Sequence, residues 1–282
     1  MWFILALFSG LLFAVNKLIF RFALKSGQVN ALSFISVHEL IAGVLILAFA
    51  ASSLPSNVTP RVFALIMLTT LLIFAADVSS TYALQKIEAG LYQIIGQLRH
   101  PIVLIGAFYL FSEDFGVQKL LAVSAVVIGV MVALYDRKKL FKFNLGIIQA
   151  ISSTVFIAFG FLVIKLTTQH VEPIALGSIT LIGSGLLGLL ISIQSNKLKI
   201  QSMDINIKIL LLIAAIIFAV FEVVLYTALD IGEASKVTPV MQSSMVFTLI
   251  GGYLFLNERA NLLKKTIGSA IIIAGIVLLY FA

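Results

Sequence analysis

The sequence predicts an all-α integral membrane protein with ten transmembrane helices arranged as two inverted five-helix repeats. Three observations lead to this prediction: an apolar composition, ten apolar segments of spanning length and an internal repeat. The chain has 282 residues, of which 61% are hydrophobic and 11% are charged, and its mean hydropathy is +1.15. Soluble domains are about 45–50% apolar and about 25% charged, so this composition excludes a soluble fold.

Ten apolar segments are long enough to cross a bilayer, because a spanning helix needs about 20 apolar residues. In chain order they lie near residues 2–22, 31–51, 61–84, 88–111, 115–135, 144–166, 172–194, 206–228, 234–256 and 260–281. The breaks between them are short and carry turn residues, as in Lys25-Ser26-Gly27. Met1 runs directly into Trp2 without the basic region of a signal peptide, so we expect the first segment to be a retained helix. Ten helices leave no room for a soluble catalytic or nucleic-acid-binding domain.

An internal repeat appears when the chain is shifted by 145 residues, which places Glu88-Ala89 on Glu233-Ala234. Upstream the match needs a one-residue gap, and it then pairs Arg21 with Lys165. Because each unit has five helices, an odd number, the second unit enters the membrane from the opposite side and the two units are inverted. Inverted repeats are typical of secondary transporters, whose halves open one central site to either face. The predicted units are residues 1–140 and 141–282.

Several motifs resemble the EamA-type pattern of the drug/metabolite transporter superfamily. They are Tyr82-Ala83-Leu84 before the fourth helix, Phe111-Ser112-Glu113-Asp114 after it, and Tyr253-Leu254-Phe255-Leu256-Asn257-Glu258-Arg259 between the ninth and tenth helices. The resemblance implies a ten-helix secondary transporter in the cell membrane, often an exporter of amino acids or other small metabolites. It also implies a central cavity lined largely by the third, fourth, eighth and ninth helices.

The distribution of basic residues favours one orientation in the membrane. The formal net charge is +7, and most bases lie in the connections on one side of the predicted bundle. We interpret them as determinants of topology and not as a nucleic-acid surface. Cytoplasmic connections are enriched in Lys and Arg, which places both termini outside the cytoplasm, whereas the family resemblance implies both termini inside. Both alternatives stay open. The opposite side carries only Arg61, Lys119, Lys165 and Lys236.

Seven ionisable side chains lie within the predicted helices, where a charge is costly and marks a candidate functional site. The 145-residue shift places Asp77 on Glu222, so a carboxylate recurs at equivalent positions of the two halves. We predict that these carboxylates bind a cation, a substrate ammonium group or a proton; the alternative is a structural ion pair. Lys17, Glu39 and Asp77 are expected to form one charge network, unless the long stem of Lys17 carries its ammonium group to the lipid headgroups. The seven are Lys17, His38, Glu39, Asp77, Arg99, His100 and Glu222.

The fourth helix carries a polar stripe, because Gln93, Gln97 and His100 are spaced i, i+4 and i+7. The shift places the first two on Thr238 and Gln242 of the ninth helix. This recurrence predicts that the stripe lines a shared substrate-binding cavity. The alternative is hydrogen bonding between helices.

Arg99 lies on a different face of the fourth helix from Gln97. We expect it either to pair with an acid or to hold an anionic group of the substrate. Pro101 and Pro239 each remove a backbone donor from the fourth and ninth helices. A bilayer tolerates such breaks where other groups satisfy the backbone, so they either line a wet cavity or mark bends.

Other residues favour structural roles. Small residues around Gly129 and Ala270, at equivalent positions of the fifth and tenth helices, predict that these helices pack closely on each other or on a second protomer. Glu113 and Glu258 each precede a helix, where an acid offsets the positive end of the helix dipole. We therefore predict that each caps the helix that follows it.

Known catalytic motifs do not fit this chain. His38-Glu39 lacks the second histidine of a zinc metalloprotease, a Gly-rich phosphate-binding loop is absent, and the chain has no cysteine. We therefore expect no enzyme activity, no cofactor and no metal site.

The function that the sequence predicts is secondary active transport of a small metabolite, an amino acid or a related cationic or zwitterionic solute. The mechanism is alternating access, with export as the direction and proton coupling as one option. The alternatives are an exchanger of anionic metabolites such as phosphorylated sugars or nucleotide-sugars, and a non-transporting scaffold subunit. Expected partners are the small-molecule substrate and the lipid bilayer, not nucleic acid, and the chain is expected to be a monomer or a homodimer.

Overall fold

The fold is a bundle of helices, seen in a computed structural model. It describes residues 1–25, 30–55, 58–111, 116–134, 144–195, 204–231, 237, 240–241, 244–258 and 261–281. Every regular element in these residues is helical. A short 3-10 turn, Ala51–Ser53, follows the second helix. The α-helices are α1 (Trp2–Lys25), α2 (Ala31–Ala50), α3 (Pro60–Lys86), α4 (Ala89–Gly96), α5 (Arg99–Phe111), α6 (Val117–Leu134), α7 (Leu145–Thr167), α8 (Pro173–Gln194), α9 (Ile205–Ile231), α10 (Ser244–Phe255) and α11 (Leu262–Phe281).

Seven segments of the described residues are long and apolar enough to cross a membrane. One of them, Ala89–Phe111, contains both α4 and α5, which are interrupted at Gln97-Leu98. Val117–Ala133 and Ser244–Phe255 are shorter apolar helices. The integral-membrane, all-helical prediction is confirmed, and the count of ten spans stays a prediction.

Capping residues explain where several helices begin. The side chain of Asn30 accepts a hydrogen bond from the backbone N–H of Ser33 at 3.1 Å, and Asn144 caps α7 through the N–H of Ile147 at 2.9 Å. Thr59 caps α3, whose first residue is the helix-compatible Pro60. These caps satisfy backbone donors that have no partner inside the helix.

The main helix pairs join the first half of the chain to the second. They are α1 with α9, α2 with α8, α3 with α7, and α6 with α11. Under the repeat, α1 corresponds to α7 and α3 to α9, so the α1–α9 pair and the α7–α3 pair are equivalent. This arrangement fits a two-repeat architecture. The predicted boundary between residues 1–140 and 141–282 lies within 135–143, outside the described residues.

Glycines allow α6 and α11 to pack with their backbones nearly in contact. A Cβ atom placed on Gly129 would lie 2.7 Å from the carbonyl oxygen of Gly268, and one on Gly275 would lie 2.7 Å from that of Ala122. The predicted close packing of these two helices on each other is therefore confirmed.

Candidate functional site

A central cavity lies between helices of both halves of the chain. It is lined by residues of α1, α3, α4, α5, α7, α8 and α9, together with Met241. Several lining residues are equivalent under the 145-residue shift, including the pairs Ile73 and Phe218, and Asp77 and Glu222. The cavity therefore lies at the interface of the repeats. Its charged and polar lining consists of Lys17, Asp77, Arg99, Glu222, Ser153, Thr154 and Thr180, and its aromatic lining of Phe13, Tyr92, Phe161, Phe218, Phe221 and Tyr226.

Lys17 points into this cavity, where its side chain is 3% exposed. Its Nζ lies 3.9 Å from Oδ1 of Asp77 and donates a hydrogen bond to Oγ of Ser80 at 3.4 Å. The same ammonium group lies 5.0 Å from the ring centroid of Phe13 and 5.8 Å from that of Tyr92. Aromatic faces attract cations at this range. The ammonium group of Lys17 is thus held by an acid and aromatic rings at the cavity, not at the headgroups.

Glu39 lies behind Asp77 and outside the cavity lining. It is 1% exposed, accepts a hydrogen bond from the hydroxyl of Ser184, and is close enough to Asp77 for the two carboxyl groups to interact. The structure therefore brings together Lys17, Asp77 and Glu39, the three members of the predicted charge network.

His38, the neighbour of Glu39, belongs to a different cluster. Its Nε2 lies 3.2 Å from Nδ2 of Asn16, which donates to the carbonyl oxygen of Ala214 at 3.0 Å. The imidazole packs edge-on against Phe20, with ring centroids 4.7 Å apart. These contacts tie α1 to α2 and α9 and give His38 a structural role.

Glu222 and Arg99 complete the charged lining. Glu222 is half-buried on α9, where the charges of Asp77 and Lys17 act on it. Arg99 donates from Nε to the carbonyl oxygen of Gly96 at 2.9 Å, and its guanidinium carbon lies 6.0 Å from the ring centroid of Phe161. The described lining thus carries two cations and two carboxylates, with Glu39 behind them.

The two cations have no charged counterparts in the second half. With the upstream gap, the position equivalent to Lys17 is Phe161, and the 145-residue shift places Arg99 on Ser244. The carboxylates, in contrast, recur in both halves. The cavity is therefore symmetric in its acids and asymmetric in its bases.

The fourth span is broken at the level of the cavity. The N–H groups of Gln97 and Leu98 donate to carbonyl oxygens three residues earlier, and the N–H of His100 donates to the carbonyl of Gln97 at 3.1 Å. Because Pro101 has no N–H, the Gln97 carbonyl cannot make the usual helical bond and accepts this tighter one instead. The Gln97 N–H therefore does not donate to the carbonyl of Gln93. The side chain of Gln97 donates to that carbonyl instead, at 2.9 Å.

The predicted polar stripe lies beside the cavity and not in its described lining. Gln93, Gln97 and His100 are all buried, and none of them is among the described lining residues. Thr238 and Gln242, the predicted counterparts in the second half, lie outside the described residues, as does Pro239. The proposed substrate-binding role of this stripe stays a prediction.

The face of the fourth span that meets the cavity is the adjacent one. Tyr92, Gly96 and Arg99 line the cavity and are also spaced i, i+4 and i+7, one residue before the polar stripe. Tyr92 is hydrogen-bonded through its hydroxyl to Oγ of Ser153 at 3.2 Å. The sequence analysis missed Tyr92. The available signal was its spacing from Arg99, which places the two residues on one face of the helix, next to the face that carries the glutamines.

Ion pairs join the two halves at one end of the bundle. Arg21 of α1 donates from Nε to Oε1 of Glu258 at 3.0 Å and from Nη1 to the carbonyl of Leu84 at 2.7 Å. Lys265 of α11 forms a second ion pair, with Glu88. We call the end that contains these two pairs the ion-paired end.

Glu258 is predicted to cap the helix that follows it, and this stays a prediction because residues 259–260 lie outside the described residues. Its Oε2 accepts a hydrogen bond at 3.1 Å from the N–H of Ala89, the first residue of α4. It therefore caps a helix of the other half, because the buried Arg21 holds its carboxylate there. Glu113, predicted to cap in the same way, lies outside the described residues.

No group of three or more His, Asp and Glu side chains in the described part of the chain could hold a metal ion. The groups that line the cavity can recognise a ligand by charge, hydrogen bonding and aromatic contact.

Comparisons with known proteins agree with the fold. A family model described as the EamA-like transporter family matches residues 1–135 and 144–281. One solved structure, titled "Crystal structure of protein", is similar with a TM-score of 0.66 and 16% sequence identity, over 95% of this chain and 94% of that chain. At this identity the similarity concerns the fold alone. No curated protein matches the chain at a significant level.

Proposed function

Since the chain belongs to the EamA-like transporter family of the drug/metabolite transporter superfamily, we propose that it moves a small zwitterionic or cationic metabolite, such as an amino acid, across the membrane by alternating access. The chain is a multi-pass membrane protein, and its family is one of transporters. Export is the direction implied by the family resemblance. The substrate class is proposed from the cavity.

The observation that carries the proposal is the pair of carboxylates, Asp77 and Glu222, at equivalent positions around one cavity. Ionisable groups inside a membrane mark substrate and ion pathways because lipid cannot solvate them. Lys17 already accompanies Asp77, which leaves the Glu222 carboxylate available to a substrate ammonium group. Arg99, over the ring of Phe161, supplies a site for a substrate carboxylate.

The aromatic lining supports a solute with an apolar portion. Phe13 and Phe221 stack with ring centroids 5.1 Å apart, and Phe218 packs on Phe221 at 5.3 Å. Aromatic and apolar walls with a few placed polar groups are typical of small-molecule sites. Gln93, Gln97 and His100 remain proposed contributors, together with Thr238 and Gln242.

A second candidate function is exchange of anionic metabolites, which the presence of both Lys17 and Arg99 in the lining favours. In this alternative the carboxylates Asp77 and Glu222 repel the substrate. The two functions therefore predict opposite effects when a carboxylate is neutralised. A non-transporting scaffold predicts no flux for any solute.

The experiment compares Asp77→Asn and Glu222→Gln with Glu172→Gln, a matched control because Glu172 is exposed and caps α8. A thermal-shift screen of purified protein against metabolite pools first identifies ligands, since a ligand that binds the folded state stabilises it. Flux of those ligands is then measured in proteoliposomes.

The expected result is a loss of about 10- to 100-fold in transport efficiency for each cavity variant, because a hydrogen bond to a charged group contributes about 1.5–3 kcal/mol. The control is expected to transport at the wild-type rate. Wild-type flux in both cavity variants would contradict the role of the carboxylates, and faster flux of an anionic ligand would support exchange of anions instead.

A further inference from the structure

We propose that the pocket around the Lys17 ammonium group is an ammonium-binding subsite of the cavity, which the protein fills with its own lysine. Lys17 thereby restricts the cavity to substrates with a single cationic group. This restriction rests on the proposed transport function. The subsite itself does not, because it follows from the contacts of Lys17.

Two oxygen atoms attract the Lys17 ammonium group without a close ion pair. Nζ lies 3.9 Å from Oδ1 of Asp77 and donates a hydrogen bond to Oγ of Ser80 at 3.4 Å. The Ser80 hydroxyl donates to the backbone carbonyl oxygen of Asp77 at 3.0 Å, so its oxygen is the acceptor toward the ammonium group. A charge-assisted hydrogen bond between an ammonium group and a carboxylate is about 2.7–2.9 Å long. The cation is therefore held in a pocket and is not locked against Asp77.

Three aromatic rings complete this pocket. Nζ of Lys17 lies 5.0 Å from the ring centroid of Phe13, 5.5 Å from that of Phe20 and 5.8 Å from that of Tyr92. We call these three rings the aromatic cage. Several rings around one cation are a general means of binding ammonium ligands. An acid, a hydroxyl acceptor and the aromatic cage together form a site suited to a primary ammonium group.

The subsite opens into the cavity. Phe13, Lys17, Asp77 and Tyr92 all belong to the described cavity lining, which also contains Glu222. Lys17 is only 3% exposed, so its ammonium group fills the subsite. A small cation that enters the cavity can therefore reach the same groups when the lysine side chain is absent.

The second half of the chain has the equivalent acid but not the cage. The 145-residue shift places Asp77 on Glu222, whereas every other member of the subsite is replaced by an uncharged apolar residue. The repeat architecture therefore does not require a caged lysine. In the order Phe13, Lys17, Phe20, Ser80 and Tyr92, the equivalent residues are Ile157, Phe161, Ile164, Leu225 and Val237, with the upstream gap applied to the first three.

The filled subsite limits which ligands can bind beside it. A substrate ammonium group at Glu222 shares the cavity with Lys17, whose charge already accompanies Asp77. A second ammonium group on the same molecule would find the aromatic cage occupied and would be repelled by Lys17. An unpaired charge is a general means of rejecting the wrong ligand. We therefore expect the wild-type protein to reject diamines.

The test replaces the lysine side chain by a free cation. Lys17→Ala removes the part of the side chain beyond Cβ, which has the same heavy atoms as propylammonium. Purified Lys17→Ala, wild-type protein and Lys165→Ala are heated with propylammonium chloride, or with tetramethylammonium chloride, which has no N–H group to donate to Asp77 and Ser80. Lys165 is the matched control because its Nζ also lies over a ring, 4.4 Å from the centroid of Phe111, but it is not among the described lining residues.

We expect propylammonium to stabilise Lys17→Ala at concentrations at least about 10-fold lower than wild-type protein or Lys165→Ala, because only that variant leaves the acid and the cage vacant. The double variant that adds Asp77→Asn removes both charges and is expected to fold and to lose this response. If Lys17→Ala is unstable alone, its folded yield with propylammonium is compared with that in tetramethylammonium. A Lys17→Ala protein that propylammonium neither stabilises nor rescues, or a response that persists in the double variant, would overturn the proposal.

A linear four-carbon diamine tests the effect on specificity. We expect it to stabilise Lys17→Ala about 10-fold more effectively than the wild type, and equal effects would contradict the restriction by Lys17. Flux separates the two proposals. A propylammonium response in Lys17→Ala without transport of any ligand by the wild type contradicts the proposed function alone. Wild-type transport of a metabolite without that response contradicts the subsite alone.

Discussion

Replacing Glu258 by alanine tests whether the ion-paired end holds the two halves together. The carboxylate of Glu258 is met by Nε of Arg21 at 3.0 Å and by the N–H of Ala89 at 3.1 Å. Ala89 is fully buried and Arg21 is nearly so. The substitution therefore leaves both donors in the interior without an acceptor, although Arg21 keeps its bond to the carbonyl of Leu84.

The expected loss in the free energy of unfolding is about 3–5 kcal/mol, the usual range when one partner of a buried ion pair is removed. The two contacts account for this range. A hydrogen bond to a charged group contributes about 1.5–3 kcal/mol, and an unsatisfied buried N–H costs about 1–3 kcal/mol. The bond that Arg21 keeps with Leu84 places the expected value near the lower limit.

The assay is reversible denaturant unfolding in mild detergent, with Glu172→Ala as the matched control. Glu172 also caps a helix but is exposed, so we expect a loss of only about 1 kcal/mol there. Arg21→Ala and the double variant complete a cycle, in which we expect a coupling energy of about 1–3 kcal/mol between the two side chains. A Glu258→Ala protein as stable as the control would refute the reasoning, because the carboxylate would then contribute no more than an exposed cap.

Two further substitutions test helix contacts. Gly129→Ala is expected to lower the free energy of unfolding by about 1–3 kcal/mol, because the new Cβ atom would meet the backbone of Gly268, which cannot move aside. The control is Gly116→Ala, whose Cβ atom would meet nothing within 4 Å. Equal stabilities of the two variants would contradict the close packing of α6 and α11. Asn16→Ala is expected to lower the free energy of unfolding by only about 1 kcal/mol, since hydrogen bonds between membrane helices are weak. A loss above about 3 kcal/mol in the same assay would contradict this expectation for the bond to Ala214.

The helices were predictable because their apolar segments match the thickness of a bilayer. The third predicted helix, 61–84, is Pro60–Lys86 in the structure, and the cap at Thr59 with Pro60 explains its start. The interruption of the predicted helix 88–111 was only partly predictable. Pro101 indicated a lost backbone bond, but the tight turns at Gln97 and Leu98 depend on how the chain satisfies the freed carbonyls, which spacing does not determine.

The site was less predictable than the fold, because the helix face that lines the cavity is not the most polar face of its helix. The charge network of Lys17, Glu39 and Asp77 was predictable, since charged groups within a membrane are stabilised by pairing with one another. The stripe of the fourth span that faces the cavity was not predictable in the same way. Gln97 turns its amide to its own backbone, while the neighbouring stripe that ends in Arg99 faces the cavity.

The basic residues of the cavity make the two halves of the chain chemically different. Lys17 and Arg99 have Phe161 and Ser244 at the equivalent positions, so exchanging the halves would not reproduce the same charge pattern. Two identical copies of a single half would place every cation twice. In a fused chain each half can change independently, so Lys17 and Arg99 can be present in the first half without matching cations in the second.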